Sequence, residues 1–190
     1  TYWATATGVL CENGKMYVFD VDGEKVDPVD PAGELQTDSN ISPDRKKVVW
    51  VDYRDPPGPG STRDFARSGG EIYLHDLEQG TTKRLTFDSP DTPRGKVKAA
   101  VGDDLVVWNE VPASAADLNP TDAQELVGAA KAVAKLNLLT GERCQLDATP
   151  NPIPVFDFKS VHGHHVYGLW FELSKKKSWH HQFLHIRARR

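Results

Sequence analysis

Six of the seven histidines of this 190-residue chain fall in its last thirty positions: His162, His164, His165, His180, His181 and His185. Imidazoles carried on neighbouring strands can hold a divalent metal ion, and Gln182 lies among them as a further donor. The spacing forms no metal-binding motif. His164 and His165 are adjacent, as are His180 and His181, and successive residues of a strand face opposite sides of a sheet, so at most half of these rings could converge. No metal ligand and no cofactor are assigned on this pattern. A second concentration of functional groups is Arg54, Asp55, Arg63, Asp64 and Arg67. These could grip an acidic or peptide ligand, because segments carried on a rigid scaffold commonly hold function, and they are the expected partner-binding residues. A flexible, solvated insertion explains the same composition.

Other chemistries lack their signatures. There is no Gly-x-Ser-x-Gly nucleophile elbow, no Gly-x-x-x-x-Gly-Lys phosphate loop and no Cys-x-x-Cys pair. Cys11 and Cys144 are too few and too far apart for a disulfide framework, and they read as small buried side chains. Trp3, Trp50 and Trp108 could form a row for stacking sugars. Each sits in the middle of an apolar stretch, which favours packing in a core.

The elements that must position these groups repeat along the chain. Lys15 to Gly23, Glu71 to Gly80 and Ala132 to Gly141 each read as a strand, a polar pair and a glycine, followed by a second short strand at Lys25 to Val29, Thr82 to Leu85 or Arg143 to Leu146. That is a hairpin whose glycine supplies a positive φ. Ahead of it stands another strand: Lys47 to Asp52, Leu105 to Glu110, and more loosely Val166 to Glu172. Thr1 to Thr7 fits the same register, which makes Trp3, Trp50 and Trp108 equivalent and gives the fourth place to Leu169. Turn segments at Ser42 to Arg45, Gly102 to Asp104 and His162 to His165 precede these strands. The expected unit is four short antiparallel strands, with approximate units 1–30, 31–88, 89–148 and 149–190.

From the second-strand position to the hairpin position is 14 residues in the first and last units, 23 in the second and 26 in the third. Both middle units therefore lengthen the same connection, over Arg54 to Gly70 and Val111 to Ala130. The second insertion contains Thr121-Asp-Ala-Gln-Glu-Leu-Val, which reads as a capped helical turn. In a radial array of repeats, equivalent connections of neighbouring units lie side by side on one face.

Ile41-Ser-Pro-Asp-Arg-Lys-Lys-Val-Val-Trp-Val-Asp-Tyr-Arg-Asp, and then Glu71-Ile-Tyr-Leu-His-Asp-Leu-Glu-Gln-Gly-Thr-Thr-Lys-Arg-Leu-Thr86, resembles the blade repeat of the TolB-like β-propellers. Arg45 stands where that family prefers glycine, and the third and fourth units lack Ser-Pro-Asp. The resemblance implies an all-β fold of about four propeller blades, as one segment of a ring that has six or seven blades in the family. It also implies a periplasmic or secreted setting and a scaffold that binds a protein or peptide partner. Two other activities occur in the family: propeller lyases of oligogalacturonate, which use His and Gln metal ligands and give interest to His162, His164, His181, Gln182 and His185, and serine peptidases whose catalytic domain would have to lie elsewhere. The pattern has the chain starting inside the second strand of one blade and stopping inside the third strand of another. Roughly fourteen strands result, with open edges to be completed by a second chain or copy.

Composition agrees with a packed domain. The chain is 38% hydrophobic and 26% charged, with a net charge of -4 and a pI near 6.0. An acidic balance argues against nucleic acid as a partner, and no apolar run approaches the roughly 18 residues of a membrane-spanning helix, so no membrane insertion is expected.

Overall fold

The computed structural model describes residues 3–4, 9–12, 14–19, 25–33, 36–54, 70–87, 94–112, 132–146, 156–162, 165–173 and 179–187. These residues form fifteen β-strands and, among the described residues, no helix. Four antiparallel sheets follow in chain order. The first holds β1 (Trp3–Ala4), β2 (Val9–Glu12), β3 (Lys15–Phe19) and β4 (Lys25–Pro28). The second holds β5 (Gln36–Ile41), β6 (Lys47–Asp52), β7 (Glu71–Asp76) and β8 (Thr81–Arg84). The third holds β9 (Arg94–Val101), β10 (Leu105–Pro112), β11 (Ala132–Asn137) and β12 (Arg143–Leu146). The fourth holds β13 (Phe156–His162), β14 (His165–Leu173) and β15 (Trp179–Arg187). Each sheet is a meander in which sequence neighbours pair, as propeller blades require.

The sheets pack face to face in the same order. The first strand of each makes the contact: β5 lies against β2 and β3, β9 against β5 and β6, and β13 against β9 and β10. This is why β6 and β10 are apolar on both sides. Val48 and Trp50 pack toward the first sheet with Met16, Val29, Ile41 and Tyr73. Val49, Val51 and Tyr53 pack toward the third with Ala99, Val101, Val106 and Trp108. A strand buried on two faces reads as a continuous apolar run rather than an alternation, as Val48 to Val51 and Leu105 to Trp108 do. Trp50 and Trp108 are wholly buried between successive sheets, so the core reading of these tryptophans holds. Third and fourth sheets meet closely at Gly102, where a Cβ would come within 2.7 Å of the Val161 carbonyl oxygen.

Turn chemistry explains the hairpins. Asp76 accepts the backbone N–H groups of Glu78 and Gln79 at 2.9 Å, and Asn137 accepts those of Leu139 and Thr140 at 2.9 and 3.0 Å. The following glycines, Gly80 and Gly141, take φ of 64° and 72°, so the repeated Asp/Asn-x-x-x-Gly closes an Asx turn on a left-handed residue.

Pairing corrects three sequence expectations. Trp3 is not equivalent to Trp50: it lies on β1 opposite Cys11, and Leu10 takes the Trp50 place by facing Tyr17 as Trp50 faces Tyr73. The cause is the short connection at Gly14 (φ 75°), which joins Glu12 directly to Lys15 and makes Val9–Glu12 the second strand. The first sheet accordingly has all four strands. Leu169 is likewise displaced. His162 faces His165 as Gly102 hydrogen-bonds Leu105, so counting along β14 puts Gly168 in the tryptophan place, beside a bulge in β13 between Phe158 and Ser160. The equivalent bulges in β5 and β9 stand opposite Trp50 and Trp108. Finally, Cys144 is only half-buried, on β12, the outermost strand of its sheet; the Cys11 side chain lies outside the described residues.

Candidate functional site

In an antiparallel meander, alternate connections emerge at the same end. One end of the array therefore carries the connections around Gly14, 29–35, 53–70, 85–93 and 113–131. The two longest, β6–β7 and β10–β11, belong to sheets that pack directly on one another. This is the loop-bearing face, and three buried charge clusters lie under it.

Beneath the β6–β7 connection, Asp52 is 1% exposed. Its Oδ2 accepts the Trp50 indole N–H at 2.9 Å and an Arg54 guanidinium N–H at 2.6 Å, while Oδ1 accepts the Arg54 backbone N–H at 2.9 Å. Arg54 also bridges to Asp30 on the β4–β5 connection at 2.7 Å, and its guanidinium lies 4.3 Å from the centre of the Tyr73 ring. Gln36 completes the cluster: its Oε1 accepts the Met16 backbone N–H at 2.7 Å and its Nε2 donates to the Asp30 carbonyl at 3.1 Å. Burial pushes the Asp52 carboxyl up, but Arg54 and the Trp50 indole outweigh it and hold it below the usual carboxylate range. Burial also opposes the Arg54 charge, yet Asp52 and Asp30 raise its pKa further.

At the other foot of the same connection, Glu71 accepts from Arg84 at 3.0 Å and from the Thr86 hydroxyl, and Lys96 of the third sheet reaches it at 3.1 Å. Lys96 is entirely buried. Under the β10–β11 connection, Glu110 receives the Trp108 indole N–H at 3.3 Å, the Gln145 amide at 2.7 Å and the Arg143 guanidinium. Trp50–Asp52 and Trp108–Glu110 are thus one device used twice. A tryptophan and an acid two residues later on the same strand share a face, and the acid satisfies the buried indole N–H before collecting an arginine.

Of the expected partner-binding residues, Arg54 is the one described, and it is the foot of its connection rather than a free hand: its side chain is 17% exposed and holds two carboxylates. Asp55, Arg63, Asp64 and Arg67 lie outside the described residues, as does the helical turn expected at Thr121 to Val127. Asp30, Gln36, Asp52, Glu71, Lys96 and Glu110 were not singled out by sequence. The recurring Trp-x-acid would have found two of them. Every described carboxylate in these clusters is engaged by arginine, lysine or indole, and the arrangement fixes the feet of the connections.

No protein family's sequence profile matches the chain, and no curated protein does. Solved structures resemble it at low identity. A protein described as a conserved lipoprotein of Clostridium novyi NT shares 14% identity with a TM-score of 0.52, over 81% of this chain and 88% of that one. A protein assigned as TolB of Agrobacterium tumefaciens shares 16% with a TM-score of 0.53, over 94% of this chain and 53% of that one. A prolyl endopeptidase shares 15% with a TM-score of 0.50, over 95% and 28%. The chain thus spans about half of the TolB structure and under a third of the peptidase. These likenesses show the fold: an all-β, TolB-like propeller segment.

Proposed function

We propose that this chain is a propeller scaffold that binds a protein or peptide partner through its loop-bearing face, without chemistry of its own. The observation that carries the reading is the placement of the two longest connections, at the same end of two sheets packed together, each rising from a buried, charge-locked foot. Rigid feet under long variable segments are how a β-scaffold presents a recognition surface. Arg63, Asp64 and Arg67 in the first connection supply charge of both signs, suited to a polar peptide. The lipoprotein among the similar structures supports an extracytoplasmic setting, periplasmic or secreted. Among the described residues no helix is long and apolar enough to cross a membrane.

Site-directed photocrosslinking in the native host tests this. A photoreactive residue at position 63 or 67 should capture one defined protein. The same residue at position 78 or 103, in exposed turns of the opposite end, should not. Equal capture from both ends would reject the loop-bearing face as the recognition surface.

A further inference from the structure

Two large apolar side chains are exposed among the described residues, Phe87 at 69% and Leu139 at 77%. Leu139 stands in the β11–β12 turn, at the end opposite the loop-bearing face, and a single exposed leucine is ordinary on a protein surface. Phe87 differs in how it is held. The Arg84 guanidinium lies 4.7 Å from the centre of its ring, within the range of a cation–π contact. That guanidinium is itself pinned: Nε donates to the Thr86 carbonyl at 2.8 Å and a terminal N–H donates to Glu71 at 3.0 Å. Two other arginines among the described residues lie against aromatic rings, Arg54 at Tyr73 and Arg143 at Trp108, and there the ring is buried and the arginine is the outer group. At Phe87 the order is reversed. The arginine side chain is 26% exposed and serves as the mount, and the ring is the group presented to solvent.

Position adds to this. Leu85 donates its backbone N–H to the Ile72 carbonyl at 2.7 Å, and the Thr86 hydroxyl accepts the Ile72 N–H at 2.9 Å. The chain therefore reaches Phe87 alongside Glu71, the downstream foot of the β6–β7 connection. Lys96 bridges to the same Glu71 from the third sheet, and it is the register partner of Glu110 under the β10–β11 connection. Phe87 thus stands at the seam between the two long connections, where the centre of a recognition face falls. We infer that Phe87 is the apolar anchor of that face, inserted on binding into an apolar socket of a protein partner. The inference rests on the reading of the loop-bearing end as the recognition surface, and it adds what the partner must offer: a pocket of aliphatic or aromatic side chains sized for a phenyl ring, inside a polar rim. Aromatic side chains are enriched in the cores of protein interfaces, and a few central, desolvated anchors carry most of the binding energy. A ring already held against a pinned guanidinium loses little freedom on docking, so more of its burial appears as affinity.

The test keeps the photoreactive residue at position 63 of the full chain, in the native host, and compares the yield of the captured protein among variants. Phe87→Ala should lower that yield at least about tenfold, Phe87→Leu, which stays apolar, should lower it less, and Leu139→Ala should leave it unchanged. All three variants should melt within about 2 °C of the parent, because exposed side chains contribute little to stability. Undiminished capture by Phe87→Ala would overturn the anchor while leaving the loop-bearing face in place. A melting temperature that falls as it does for a core truncation would also overturn it, by showing that the ring packs within this chain. Failure of the parent to capture a defined protein from position 63 or 67 would remove the recognition face itself, and the anchor with it.

Discussion

Arg45 occupies a position whose backbone is unfavourable to it. It sits in the β5–β6 turn with φ of 60°, its N–H donating to the Ser42 carbonyl at 2.9 Å. An L-residue other than glycine gives up roughly 1–2 kcal/mol in the left-handed region. The TolB-like pattern has glycine at this place, and the φ supplies the reason. Arg45→Gly should therefore stabilise the chain by up to about 1 kcal/mol, after allowing for the greater freedom of glycine in the unfolded state; a denaturant midpoint that does not rise would contradict this. Asp52 makes the pH prediction. Its folded pKa is depressed, so it contributes stability that is fully present above the unfolded value of about 3.9 and is lost as pH falls through the folded one. Asp52→Asn should lower the denaturation midpoint at pH 7 and flatten its decline below pH 4, so that wild type and variant converge in acid. Parallel acid branches would show that the Arg54–Asp52 pair does not set this dependence. These residue roles were half legible. The sequence shows Trp-x-Asp and Trp-x-Glu plainly, but an indole seeking a buried acceptor becomes visible only when both faces of β6 and β10 are known to be covered.

At the scale of elements, hairpins are legible in the sequence because they are local: Asp/Asn at the turn start and glycine at its end determine them without reference to the rest of the chain. Register between repeats was less accessible, and it failed where an aromatic was used as the anchor. Trp3 looks like Trp50, yet the two-residue connection at Gly14 assigns its place to Leu10; and Gly168, not Leu169, stands in the fourth sheet because a turn and a bulge set the count. Hydrophobicity alone cannot separate neighbouring positions in a strand buried on both sides. Packing between sheets is where the next prediction lies, in the Glu71–Lys96 bridge from β7 to β9. Removing the acid takes away the carboxylate that a fully buried ammonium faces, whereas removing the lysine leaves Glu71 with Arg84 and Thr86. Glu71→Ala should cost about 3 kcal/mol or more, and Lys96→Met, which keeps the volume and removes the charge, under about 1.5 kcal/mol. Equal losses in urea unfolding would mean that the bonds Glu71 makes to Arg84 and Thr86, beside its bridge to Lys96, add nothing to this contact.

For the whole molecule, the fold class followed from repetition, which survives changes in individual residues. The function did not, since one architecture hosts many functions and function lies in the site carried on it. At this scale the chain shows a pair of long connections at one end and buried clusters that anchor them. Those clusters lie wholly in described strands and their immediate feet, so the scaffold should be independent of the segments it carries. The most direct measurement replaces residues 56–68 and 114–130 with short Gly-Ser turns and follows both thermal unfolding and photocrosslinking to the protein captured at position 63, now from a probe at the shortened β6–β7 turn. A melting temperature within a few degrees of the parent, together with complete loss of that capture, is the result expected of a rigid scaffold with a recognition face. Capture that persists after both connections are shortened, or a chain that no longer folds without them, would contradict it.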